Sequence, residues 1–136
     1  MKYLLDTDTC IELIRRKPAG LLQRLVEVEP GEAGISSITR AELIYGVAKS
    51  TRPEENQAAL EQFLLPLELV DFNDSAALAY GQIRAALERL GQGIGGMDLL
   101  IAAHALSLGC ILVTNNVKEF SHVEGLKIEN WLSRQA

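Results

Sequence analysis

Cysteine is scarce in this chain. Cys10 and Cys110 are the only two, and they stand far apart without paired spacing. That excludes a disulfide framework and a cysteine zinc site. Each falls in an apolar run, so both are expected as buried, reduced thiols. Histidine is equally sparse, with His104 inside an apolar helical stretch and His122 after Phe120-Ser121 in a loop. The first reads as a packed residue and the second as an exposed one, which leaves little for histidine catalysis. Positive charge is also short: 13 basic against 18 acidic side chains give a net charge of -5. A protein that coats nucleic acid non-specifically would be basic. Arg15, Arg16 and Lys17 form a local basic patch, with Arg40, Lys49, Arg52, Arg84 and Arg89 elsewhere, most of them expected on solvated helix faces. No membrane span is expected. The uncharged stretch 99–117 contains His104, Ser107, Gly109, Asn115 and Asn116 and changes period midway, as a buried helix followed by a buried strand does. Met1-Lys2 leads into only three apolar residues before Asp6, too few for a signal peptide, so a cytoplasmic protein is expected.

What is present is an ordinary globular composition. The 136 residues are 48% hydrophobic and 23% charged, which suits one domain spanning 1–136. A first strand is expected at Tyr3 to Asp6, then a helix from about Thr7 to Arg16 with Ile11, Leu13 and Ile14 on its apolar side. Pro18 and Gly20 break it, and Leu21 to Val28 form a second helix. Ala33 to Ser37 reads as a second strand. Thr39-Arg40-Ala41-Glu42 matches a capping box opening a helix to about Ala48. Pro53 suits a first helical position, and the helix continues to Leu65 with Ala58, Leu60 and Leu64 apolar. A third strand follows at Leu67 to Val70, then a long helix capped by Asn73 or Asp74. Gly91, Gly93, Gly95 and Gly96 make a flexible loop. The next helix carries Met97, Ile101, Ala105 and Leu108 on one face and stops at Gly109. Cys110 to Thr114 is a fourth strand, and Lys127 to Glu129 a candidate fifth. Strands alternating with helices imply an α/β fold, a parallel sheet covered on both faces.

Four acidic residues sit where these elements meet: Asp6, Glu42, Asp98 and Glu119. Each has a bland role open to it. Asp6 can cap a helix, Glu42 can close the capping box, Asp98 can complement a helix dipole, and Glu119 can be a solvated loop residue. Strand ends of a parallel sheet converge on one edge, however. Carboxylates gathered there repel one another unless they hold a divalent cation. Mg²⁺ and Mn²⁺ prefer oxygen ligands, polarise a phosphoryl oxygen and acidify water, so no histidine base is needed. The loop 91–96 lacks the Lys-Ser/Thr of a phosphate loop and follows a helix, so it reads as flexibility beside Asp98.

Four segments together resemble the PIN-domain ribonucleases, in particular the VapC toxins of bacterial toxin–antitoxin pairs. They are Leu4-Leu5-Asp6-Thr7-Asp8, the run from Ile35 to Leu43, the run from Gly95 to Ala105, and Val113 to Phe120. The resemblance covers nearly the whole chain. It implies a three-layer α/β/α sandwich with a parallel central sheet of four to five strands. It also implies a Mg²⁺- or Mn²⁺-dependent endoribonuclease toxin cutting structured RNA such as tRNA or rRNA loops. A homodimer and a complex with a cognate VapB-type antitoxin are expected. Asp6, Glu42 and Asp98 match the family's catalytic and metal-binding acids directly, and Glu119 is taken as the fourth; Thr114 matches a hydroxyl that lines the site, and Ser37, Thr39 and Asn116 are candidates for orienting water, metal or substrate. Two departures stand out. Asp8 replaces an Asn common among relatives. The fourth acid falls at the place of Asn116 in some relatives and just before the Phe, where Glu119 stands, in others.

Two other readings compete. Asp6-Thr7-Asp8-Thr9 fits the opening signature of haloacid-dehalogenase-like phosphatases, with Ser36 or Ser37 as a second motif, but then Glu42 has no role and Asp98 opens a helix where that family needs an acidic pair after a strand. A non-catalytic module whose acidic cleft captures a basic peptide is the second.

Overall fold

The computed structural model describes residues 1–132; the last four positions of the expected domain lie outside them. The chain begins with β1 (Tyr3–Leu5), α1 (Thr7–Arg15), α2 (Ala19–Glu27), β2 (Ala33–Ser36), α3 (Ser37–Ala48) and α4 (Pro53–Leu64). It continues with β3 (Glu68–Val70), α5 (Asp74–Arg89), α6 (Gly96–Leu108), β4 (Ile111–Val113), α7 (Val117–Phe120) and β5 (Ile128–Glu129). The five strands form one sheet in the order β3-β2-β1-β4-β5. Every pairing is parallel, with Leu4 opposite both Gly34 and Leu112. The candidate fifth strand is therefore present.

Alternation along the strands builds the layers. Neighbouring strand residues point to opposite faces. Leu4 and Leu112 enter a core with Ile83 and Leu87 of α5 and Leu99, Ile101 and Ala102 of α6. Leu5 and Val113, one residue further on, enter the opposite core with Cys10, Leu13, Leu21, Leu43 and Leu60 of α1 to α4. Helices thus cover both sheet faces. Both cysteines are free and buried, as expected. No helix among the described residues is long and apolar enough to cross a membrane.

Three local expectations are corrected. The helix after β2 starts at Ser37, because Ser36 caps it by accepting the Ile38 amide at 3.1 Å. Strand β2 therefore stops at Ser36, and the Thr39/Glu42 capping box does not form; Thr39 already lies inside the helix. In α6, Ile101 and Ala105 are buried, but Met97 and Leu108 are exposed. That helix is apolar on almost every side, so its periodicity does not select a face. Along α4, Leu60 is buried, Leu64 is half-buried and Ala58 is exposed. The remaining signals hold: Asn73 caps α5 through the Ala76 amide, Pro53 opens α4, and Gly109 ends α6 in the left-handed region at φ 68°.

The strand order reverses between β1 and β4. β1 runs on to β2 and β3 on one side, while β4 and β5 lie on the other. Such a switch point opens a crevice beyond the carboxyl ends of the strands.

Candidate active site

Asp6 stands at that crevice. Its amide donates to the Val113 carbonyl at 3.0 Å, continuing the β1–β4 pairing to the edge. Its Oδ1 caps α1 by accepting the Thr9 amide at 2.9 Å. The side chain is buried, and burial raises its pKa; hydrogen bonding by Thr114 and Thr9 partly offsets this, and the Asp8 charge adds to it. The bland and the chemical roles of Asp6 therefore coexist. Thr114 follows β4 and is itself buried.

Asp98 occupies the first turn of α6. Its carboxyl is pushed up to about 6, first by burial and then by the charges of Glu119, Asp6, Asp8 and Glu42. Acids from α7, the β1–α1 junction, α1 and α3 thus all raise this one group. Asp8, exposed on α1, is part of the same field.

Glu42 projects from the second turn of α3 and receives the Thr7 hydroxyl at 2.5 Å. The Thr39 hydroxyl lies 3.2 Å from that of Thr7. Thr7 was not singled out in the sequence. Its only local signal is a hydroxyl directly after Asp6, because its partners are more than thirty residues away. Glu119 lies in α7, not in a loop. Its Oε1 accepts the Gly95 amide at 3.2 Å and its Oε2 the Asn116 side-chain amide at 2.7 Å. The Asn116 backbone amide donates to Thr114 Oγ1 at 2.9 Å.

Ser37 is engaged differently. Its hydroxyl accepts the Phe72 amide at 3.0 Å and ties α3 to the segment after β3. His104 is fully buried, as expected, with Nδ1 2.7 Å from Ser36 Oγ, and burial lowers its pKa. It is a packed residue of α6. His122 is exposed. Several basic residues pair with an acid three or four residues away: Arg16, the C-cap of α1, with Glu12; Arg52, the N-cap of α4, with Glu55; and Arg84 with Glu88 in α5. Such exposed pairs contribute little to stability.

The donor set in the cleft consists of carboxylate and hydroxyl oxygens. Among the described residues no three Asp, Glu, His or Cys side chains form a ready-made metal cage. A hard, largely hydrated cation fits that arrangement, since Mg²⁺ keeps several waters and is commonly held by one or two carboxylates. Zinc, which seeks nitrogen and sulfur in a closed tetrahedron, does not fit.

A parallel α/β/α sandwich with acids gathered at its switch point is the frame of the PIN domain, and the family model for that domain matches residues 3–126. The chain belongs to the PIN-domain family. Within it, the chain is similar to the tRNA(fMet)-specific endonuclease VapC of Shigella flexneri, 46% identical over 131 residues covering 96% of this chain and 98% of the relative. Ribonuclease VapC2 of Haemophilus influenzae is 46% identical over 132 residues, covering 97% and 99%. Among solved structures, VapBC2 from Rickettsia felis bound to a DNA fragment from its promoter superposes with a TM-score of 0.92 at 43% identity, covering 96% of this chain and 99% of the other. DNA-bound VapBC from Salmonella typhimurium matches with the same TM-score at 46% identity, covering 96% and 98%. PIN-domain nucleases are divalent-metal dependent as a class.

Proposed function

We propose that this chain is a VapC-type endoribonuclease toxin, a single nuclease domain that hydrolyses structured RNA and inhibits translation in the cytoplasm until a VapB-type antitoxin neutralises it. The reading is supported by the contacts that link the acids' elements: Asp6 ends β1 and caps α1, Thr7 of α1 bonds Glu42 of α3, and Glu119 of α7 bonds Gly95 at the start of the helix that carries Asp98. Asp6, Glu42 and Asp98 would hold Mg²⁺ or Mn²⁺, with Glu119 the fourth carboxylate of the cleft. When bound, the cation supplies Lewis acidity toward a phosphoryl oxygen and makes water a better nucleophile. Protein groups supply order. The Thr9 amide and Thr114 hold the Asp6 carboxylate in one orientation, and Thr7 does the same for Glu42. Thr39, Thr114 and Asn116 line the same region as candidates for orienting water or the scissile phosphate. Ser37, its hydroxyl accepting the Phe72 amide, supports them by fixing the start of α3.

A structured tRNA or rRNA loop is the proposed substrate, and initiator tRNA is the first to assay because the Shigella flexneri relative carries it in its name. The antitoxin follows from the VapBC complexes that the chain resembles. A homodimer is proposed alongside it. The phosphatase alternative is not favoured: Asp98 opens α6 after a glycine loop, and Glu42 belongs to the cleft instead of standing idle.

Replacement Asp6→Asn tests the reading. Asn is as good an N-cap as Asp, so the Thr9 contact and the fold survive, while the metal-binding charge is lost. RNA cleavage is expected to fall below detection with the melting temperature unchanged or raised. Full cleavage by the purified variant would refute the site.

A further inference from the structure

We infer that Glu119 is a latch that positions Asp98, tying the Gly95 amide at the start of α6 to Asn116 beyond β4, instead of reaching a cation itself; this rests on the metal-site reading above. Both of its carboxylate oxygens are engaged, one by the Gly95 amide at 3.2 Å and the other by the Asn116 side chain at 2.7 Å. Asn116 is anchored in turn through its backbone amide to Thr114 Oγ1, and the Thr114 hydroxyl favours the charged form of Asp6. The chain Gly95–Glu119–Asn116–Thr114 therefore runs from the entrance of α6 to the residue that follows β4.

The entrance of α6 needs such a tie. Gly95 is its N-cap and supplies no side-chain cap. A Cβ placed at Gly93, Gly95 or Gly96 would meet nothing within 4 Å, so in this loop Ile94 packs against the core while the glycines beside it make no side-chain contact. Asp98 sits one turn further on, and the direction of its carboxylate depends on where that first turn lies. Groups that orient the ligands of a metal typically matter for affinity by about 10–100-fold. Glu119 is accordingly a positioning residue, and Asn116 shares the task.

Three variants of the full chain decide this, using Mn²⁺ as the probe and amide exchange at Gly95 as a second readout. Asn116→Ala removes one anchor and leaves the Glu119 carboxylate intact and freer to reach a cation. The latch predicts that Mn²⁺ affinity falls by about tenfold in this variant, and that Gly95 exchange speeds up. Glu119→Ala should accelerate Gly95 exchange by about tenfold. Glu119→Gln should keep Gly95 protected, because the Gln carbonyl can accept that amide while its NH₂ donates to a turned Asn116 side chain. Mn²⁺ binding in Asn116→Ala as tight as in the wild type, or tighter, would overturn the latch in favour of direct ligation. So would unchanged Gly95 exchange in Glu119→Ala. A wild-type protein that takes up no Mn²⁺ would count against the metal site itself, and Gly95 exchange alone would then decide the latch.

Discussion

Replacing Asp98 by Asn should make the metal-free protein slightly more stable while removing its response to metal. The ordinary carboxyl value is 3.8, and in the fold it is pushed up to about 6 by burial and by Glu119, Asp6, Asp8 and Glu42. At ~1.4 kcal/mol per pH unit, that gap corresponds to about 3 kcal/mol of unfavourable interaction when the group is ionised. Asp98 is only half-buried, so screening by water reduces this to about 1 kcal/mol. The charge also gains about 0.5 kcal/mol from the first turn of α6, which Asn forfeits. The net gain is about 0.5 kcal/mol, or a rise of about 2 °C in melting temperature for a domain of this size. The pH dependence follows from proton binding. The unfolded chain releases this proton near pH 4 and the folded chain near pH 6. Between these values the native state holds more protons, so wild-type stability falls as pH rises, relative to the variant. The variant's advantage should be absent below about pH 4, grow through pH 6 and level off above. Thermal unfolding in EDTA across this range measures it. Mn²⁺ at about ten times its dissociation constant should then raise the wild-type stability by about 1.4 kcal/mol and leave the variant unmoved. A variant several degrees less stable than wild type in EDTA at pH 7.5 would mean that Asp98 serves α6, and the argument from crowded carboxylates would be wrong.

Three other outcomes are expected. Thr7→Val keeps the volume but leaves Glu42 without its hydroxyl donor, so Mn²⁺ affinity measured by titration should fall about tenfold with little change in melting temperature; unchanged affinity would remove Thr7 from the site. Direct attack of water on the phosphodiester should leave a 5′-phosphate and a 3′-hydroxyl, and end-labelling that finds a 2′,3′-cyclic phosphate would point to attack by the ribose hydroxyl instead. The antitoxin should place an arginine, whose planar fork suits two carboxylates, near Asp6, Glu42 and Asp98, so one Arg→Ala change in that partner should relieve inhibition, Mg²⁺ should compete with it, and failure of every basic substitution would favour occlusion by shape.

Much of this fold is legible in the sequence. Consecutive apolar residues at Leu4-Leu5 and Leu112-Val113 mark strands buried on both faces, and residues such as Gly109 and Pro53 punctuate the helices between them. The four acids could be named because each stands at an element boundary, and a parallel sheet brings its boundaries to one edge. The misreadings have physical causes. Thr39 and Glu42 fit a capping box, but Ser36 offers a hydroxyl three residues earlier and begins the helix there. Helix α6 is apolar on almost all sides, so Met97 and Leu108 could not be told from its buried residues. The contact of Glu119 with Gly95 joins residues 24 apart, and that of Thr7 with Glu42 joins residues 35 apart. Such pairings depend on the topology and carry no local pattern.

The most direct measurement is cleavage of tRNA by the purified chain, first freed of metal with EDTA and then supplied with Mg²⁺, with Asp6→Asn run in parallel. The acidic cleft predicts no cleavage in EDTA, recovery with Mg²⁺, and none from the variant in either condition. Cleavage that persists in EDTA, or that survives in the variant, would contradict it.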